Sequence, residues 1–105
     1  MATIAEERRI RMAAEEIGRR AAEEFQSDVV RVKVHFEEDW NGADAIYVFV
    51  VLEDRAARPT KKRDAATEIR QYVRNAFQES EIGIIPYVRF RTETEYREMK
   101  DPLWD

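Results

Sequence analysis

The chain contains no cysteine, and it has few of the residues that interrupt regular structure. A chain without cysteine has no disulfide framework, no thiol nucleophile and no thiolate metal site. Its three glycines match no phosphate-binding loop. No apolar run approaches the roughly 20 residues of a membrane span, and the N-terminus does not resemble a signal peptide. We therefore expect a cytoplasmic domain with no membrane contact.

The length of the chain fits one small domain, and its charge is distributed unevenly along the sequence. With 105 residues, 44% of them hydrophobic, the chain is long enough for one packed core. Its net charge is −4, yet residues 55–77 hold seven basic and two acidic side chains, a local charge of +5. An acidic protein is a poor non-specific binder of nucleic acid. Because residues 55–77 are basic, a local contact with an anionic partner stays an alternative.

Hydrophobic periodicity predicts the first half of the fold. Apolar residues recur at steps of three and four over residues 1–26, which indicates an amphipathic helix. Gly18 lies in its middle at a cost of about 1 kcal/mol, which close packing against a neighbour would explain. Residues 29–54 read as a β-hairpin, with Asn41-Gly42 at its turn. Its second strand, 45–52, is apolar on both faces and is therefore expected to be central.

The second half continues as a loop over residues 55–60, a helix over 61–81 and a strand over 84–92. Thr92 and Glu95 have capping-box spacing, so a short helix and tail should fill residues 93–105. The fold class is α+β: a two-layer sandwich in α-β-β-α-β order with a three-stranded mixed sheet. A right-handed crossover makes the third strand parallel to the second, and the expected strand order is 1-2-3.

The hairpin register decides which side chains share a sheet face. A two-residue turn pairs Phe36 with Tyr47, whereas a three-residue turn with a left-handed glycine pairs Phe36 with Ile46. In the second case Tyr47 and Phe49 share a face with the basic residues of the first strand. A one-residue slip exchanges the faces. We favour the second register, but the sequence leaves both open.

The outer face of the sheet is the main candidate surface, because two helices cover only one face. Aromatic and basic side chains together suit a protein interface, and they also suit a platform for single-stranded RNA. A homodimer or a folded-back tail could equally seal the face. The partner-binding candidates, including two apolar residues of the tail, are Arg31, Lys33, Tyr47, Phe49, Tyr87, Arg89, Arg91, Leu103 and Trp104.

A basic loop is the second candidate. Cations before a helix N-terminus oppose the helix dipole, which hints at an anionic partner. The alternative is a solvated charge run that nearby carboxylates neutralise. The anion-binding candidates are Arg55, Arg58, Lys61, Lys62 and Arg63.

Catalytic patterns are missing from the sequence. The single histidine, His35, has no Ser-His-Asp set, metal triad or H-E-x-x-H helix around it. We predict that the protein is not an enzyme and uses no metal and no cofactor.

Two resemblances extend this interpretation. The α-β-β-α-β order resembles the type II KH-like fold in topology, although the G-x-x-G loop of that fold is absent. Residues 45–52 and 85–93 look like a family of small bacterial proteins encoded beside small helical HEPN-class proteins, many of them RNase toxins. The resemblance implies an antitoxin-like or regulatory module that binds such a toxin. RNA binding and homodimerisation stand as alternatives.

Overall fold

The computed structural model describes residues 4–38, 42, 44–60 and 63–105. It is an α+β fold in the predicted order, and the short helix after the last strand is present. Two 3-10 turns, Asp54–Ala57 and Pro102–Trp104, complete the description. The helices and strands are α1 Ile4–Glu24, β1 Val29–Glu38, β2 Asp44–Leu52, α2 Ala65–Glu79, β3 Tyr87–Thr92 and α3 Glu93–Met99.

The three strands form one mixed sheet in the order β1-β2-β3. Strand β2 is antiparallel to β1 and parallel to β3, so α2 makes the crossover between the two parallel strands. The predicted strand order and directions are confirmed. They follow from the short hairpin and from the length of chain that a parallel connection needs.

The main core lies between α1, α2 and the inner face of the sheet. Val48 and Val50 of β2 are fully buried there. At Gly18, a Cβ atom would lie 2.8 Å from Cγ2 of Val34, which is too close for any other residue without a shift. The glycine therefore allows α1 to approach β1 closely, which confirms the packing explanation for its position.

The hairpin adopts the favoured register. Phe36 lies opposite Ile46, Lys33 opposite Phe49 and His35 opposite Tyr47. Gly42 has a positive φ of 84°, in keeping with a turn that needs a left-handed residue. Trp40 and Asn41, the rest of the predicted turn, lie outside the described residues, as do residues 1–3 at the start of the predicted first helix.

The predicted second helix is too long at both ends. It begins at Ala65 rather than at residue 61, because Asp64 acts as its N-cap and accepts a hydrogen bond from Thr67 N. It ends at Glu79, and Glu81 then takes a left-handed conformation with φ 53°. A capping side chain and a left-handed residue thus set limits that hydrophobic periodicity does not show.

Other boundaries also differ from the prediction, and the first helix ends at Glu24 rather than at residue 26. The last strand begins at Tyr87 rather than at residue 84, directly after Pro86, whose missing N–H cannot join a strand ladder. The predicted loop over 55–60 contains most of the 3-10 turn Asp54–Ala57. None of these differences changes the topology.

Candidate interaction surface

The C-terminal tail, residues 101–105, covers one half of the outer sheet face. Trp104 is only 5% exposed, and its ring centroid lies 4.6 Å from that of Phe49. The guanidinium carbon of Arg91 lies 4.3 Å from the Trp104 ring centroid, in a cation–π contact. Val51 is buried in the same small cluster. The tail therefore docks on its own domain.

Basic side chains of β1 hold the backbone of the tail. Arg31 Nη2 donates to Asp105 O at 2.6 Å, and Lys33 Nζ donates to Leu103 O at 2.9 Å. These bonds end on main-chain oxygens, so they recognise the path of the tail rather than its side chains. Two of the cations that the sequence assigned to a partner thus bind the chain itself.

Helix α3 connects β3 to the tail, and the N-terminus of α3 is anchored by hydrogen bonds. Thr92 and Glu95 form the predicted capping box, which is confirmed. Asp54 accepts hydrogen bonds from Thr94 N at 3.1 Å and Thr94 Oγ1 at 2.5 Å. The side-chain and backbone donors of Thr94 lower the pKa of Asp54 below its ordinary value. In the middle of α3, Tyr96 Oη donates to Asp105 Oδ1 at 2.5 Å.

The other half of the outer face stays uncovered, and we call its three central residues, Tyr47, Tyr87 and Arg89, the tyrosine strip. The two tyrosine rings stack with centroids 5.1 Å apart and planes 25° from parallel. Tyr87 is 42% exposed. The guanidinium carbon of Arg89 lies 5.8 Å from the Tyr87 ring centroid. Among the described residues, no carboxylate pairs with Arg89.

The structure divides the predicted partner-binding residues into two groups. Phe49 and Trp104 bury each other, so neither is exposed to a partner while the tail is docked. Arg31, Lys33 and Arg91 line the side that the tail covers. Leu103 is 39% exposed at the rim. The tyrosine strip is what remains of the predicted surface.

The positive charge of the basic loop is partly neutralised by a carboxylate of the same domain. Asp28 is 3% exposed and accepts a hydrogen bond from Arg63 Nη2 at 2.6 Å. Arg55 Nη1 lies 4.0 Å from the other Asp28 oxygen, and Arg55 Nη2 donates to Ser27 O. The carboxylates of Glu68 and Asp28 raise the pKa of Arg63. An external anion would have to compete with Asp28 for these two cations.

Of the other three predicted anion-binding residues, Arg58 is exposed, and Lys61 and Lys62 lie outside the described residues. The sequence analysis did not single out Asp28, which lies between the predicted first helix and the hairpin. The sequence feature that could have pointed to Asp28 is the local charge of +5 over residues 55–77, because such a charge needs a nearby counter-charge.

His35 contacts an acidic side chain on this face. Its Nε2 lies 2.7 Å from Glu37 Oε2, and its ring lies beside Tyr47 and Phe49. Within the described ranges, no group of three His, Cys, Asp or Glu side chains is placed to hold a metal ion. No described helix has the length and apolar character to cross a membrane.

Comparison of the chain with protein-family models, with curated proteins and with solved structures gave no match. The resemblance to HEPN-associated proteins therefore stays a prediction. The geometry of the chain itself carries the functional argument.

Proposed function

We propose that this protein is a non-catalytic interaction module that binds another protein through the tyrosine strip. The observation that carries the proposal is the stacked pair of Tyr47 and Tyr87 with Arg89 beside it, uncovered while the tail seals the adjacent half of the face. Tyrosine and arginine are enriched among residues that dominate binding energy at protein interfaces.

A protein suits this surface better than RNA. Binding to a nucleic-acid backbone takes several unpaired cations in one place. Here Arg31 and Lys33 donate to oxygens of the tail, and Arg91 Nη2 lies 3.3 Å from Asp101 Oδ2. Among the described residues of the outer sheet face, Arg89 is the remaining cation that neither the tail nor a carboxylate engages. A partner with an apolar surface and a carboxylate would match one arginine between aromatic groups.

The resemblance described above names a class of partner for this proposal. A small helical protein of the HEPN class would dock on the tyrosine strip, and the present chain would act as its antitoxin-like or regulatory counterpart. The proposal includes a cytoplasmic location, because a chain without cysteine suits a reducing compartment.

The test compares captured proteins between the unaltered chain and matched variants. Tagged chain, Tyr87→Ala, Arg89→Ala and a control, Met12→Ala, are used for capture from the native host after RNase treatment, followed by mass spectrometry. Met12 is 65% exposed on α1, away from the sheet. One stoichiometric protein should be retained by the chain and by Met12→Ala, and lost from both strip variants. Equal retention by all four, or loss of every partner after RNase, would refute the proposal.

A further inference from the structure

Strand β1 has an open edge. It is ten residues long, and within the part of the chain that the structure describes no strand pairs with it on the side away from β2. Its core-facing residues Val32, Val34 and Phe36 are only half-buried although α1 lies above them. Val30 is 46% exposed. A long bare edge with an incompletely covered apolar row is a template for pairing with another strand.

The charges along β1 are ordered, and that order identifies the occupant. Arg31 and Lys33 lie in its first half, and Glu37 lies in its second half on the same sheet face. In an antiparallel copy of the same strand that pairs about Val34, Arg31 of each copy lies opposite Glu37 of the other, and Lys33 lies opposite His35. The Arg31–Glu37 pair is therefore the attraction that favours this arrangement. A parallel copy would set like charges side by side, which is unfavourable across a strand pair.

We propose that two copies of this chain pair antiparallel through β1 and form one continuous six-stranded sheet. In the register that matches the charges, Val34 lies opposite itself on the two-fold axis and Arg31 lies opposite Glu37 of the second copy. Val32 then lies opposite Phe36 of the second copy, which extends the apolar row across the junction. The same patch serves both copies, as a two-fold interface requires.

The contacts within one copy leave room for this pairing. Arg31 uses one N–H group on Asp105 O, and a guanidinium has five donors in all. Glu37 is exposed and reaches His35 through one carboxylate oxygen. The opposite edge is a poorer candidate, because antiparallel self-pairing of β3 about Arg89 or Phe90 would bring arginines of the two copies opposite each other.

Charge reversal tests the pairing directly. Arg31→Glu and Glu37→Arg each replace both cross-strand attractions with repulsions, so each variant alone should dimerise at least about tenfold more weakly. A one-to-one mixture restores both attractions and should yield a heterodimer. Analytical ultracentrifugation over a concentration series measures the affinities, and native mass spectrometry identifies the mixed species. Circular dichroism confirms that each variant is folded.

Several results would overturn the inference. The unaltered chain could stay monomeric at every concentration, the single variants could dimerise as well as the parent, or the mixture could stay monomeric. If a variant fails to fold, hydrogen exchange on the unaltered chain decides instead. Amides of β1 should gain protection with protein concentration, whereas concentration-dependent protection confined to β3 would refute the pairing.

The dimer is independent of the proposed function. Tyr87→Ala should abolish partner capture and leave the dimer affinity unchanged, because Tyr87 lies on β3 at the far side of the sheet. A chain that dimerises without retaining a partner would therefore contradict only the proposed function. A monomer that retains its partner would contradict only the dimer.

Discussion

Replacement of Trp104 by alanine should release the tail while the rest of the domain stays folded. Burial of a large apolar side chain is worth about 2–3 kcal/mol, and the cation–π contact with Arg91 adds about 1 kcal/mol. Holding each residue of a tail in place costs about 1–2 kcal/mol of backbone entropy. Without Trp104, the remaining hydrogen bonds at about 1 kcal/mol each do not offset that cost.

The expected loss is therefore limited. Once the tail has undocked, no further contact is lost, so the free energy of unfolding should fall by about 1–3 kcal/mol rather than by the 3–5 kcal/mol typical of an aromatic residue removed from a main core. Urea denaturation followed by far-ultraviolet circular dichroism, at one fixed protein concentration, measures the change. Leu103→Ala is the matched control and should stay within about 0.5 kcal/mol of the parent.

Two outcomes would refute this reasoning. A loss below about 0.5 kcal/mol would mean that the tail is not held by Trp104. A loss of about 5 kcal/mol would mean that the tail cannot separate from the domain. Hydrogen exchange distinguishes the expected result from both, because the tail amide of Asp105, which donates to Pro102 O, should lose protection while α1, α2 and α3 keep theirs.

Two further predictions concern α1 and the anchor of α3. Gly18→Ala should lower the free energy of unfolding by about 1 kcal/mol in urea denaturation. The new methyl group overpacks against Val34 at a cost of about 1–3 kcal/mol, which exceeds the gain in helix propensity of about 1 kcal/mol. If Gly18→Ala costs the same in a Val34→Ala background, this explanation is contradicted. Asp54 should titrate below its ordinary pKa in carboxyl NMR spectra, because Thr94 stabilises the ionised form. Its contribution to stability is then present above about pH 4 and lost as pH falls through the lowered pKa. Asp54→Asn should abolish that dependence, and a midpoint at or above about 4 would contradict it.

Local patterns in the sequence were sufficient for the architecture. Alternation in β1, apolar residues on both faces of β2 and helical periodicity in α1 and α2 each depend on near neighbours along the chain. The central position of β2 follows from its two buried faces. The parallel direction of β3 follows from the helix between it and β2. These elements were therefore predictable, whereas helix ends depended on single capping residues such as Asp64.

The candidate surface was less predictable, because it depends on distant residues. The hairpin register stayed open because β2 is apolar on both faces, so its own pattern does not say which face meets Val32 and Val34. The tail could have docked on this domain or on another, because an apolar residue such as Trp104 near a chain end fits either. Asp28 gained its importance from Arg63, 35 positions later.

The cluster of Phe49, Val51 and Trp104 also has a consequence for synthesis on the ribosome. Phe49 and Val51 leave the ribosome more than fifty residues before Trp104. At about 5–20 residues per second, the sheet can form while this half of its outer face still lacks its cover. The nascent domain therefore passes through a stage of a few seconds in which these two side chains are open to chaperones or to neighbouring chains, and the stage ends when the tryptophan arrives.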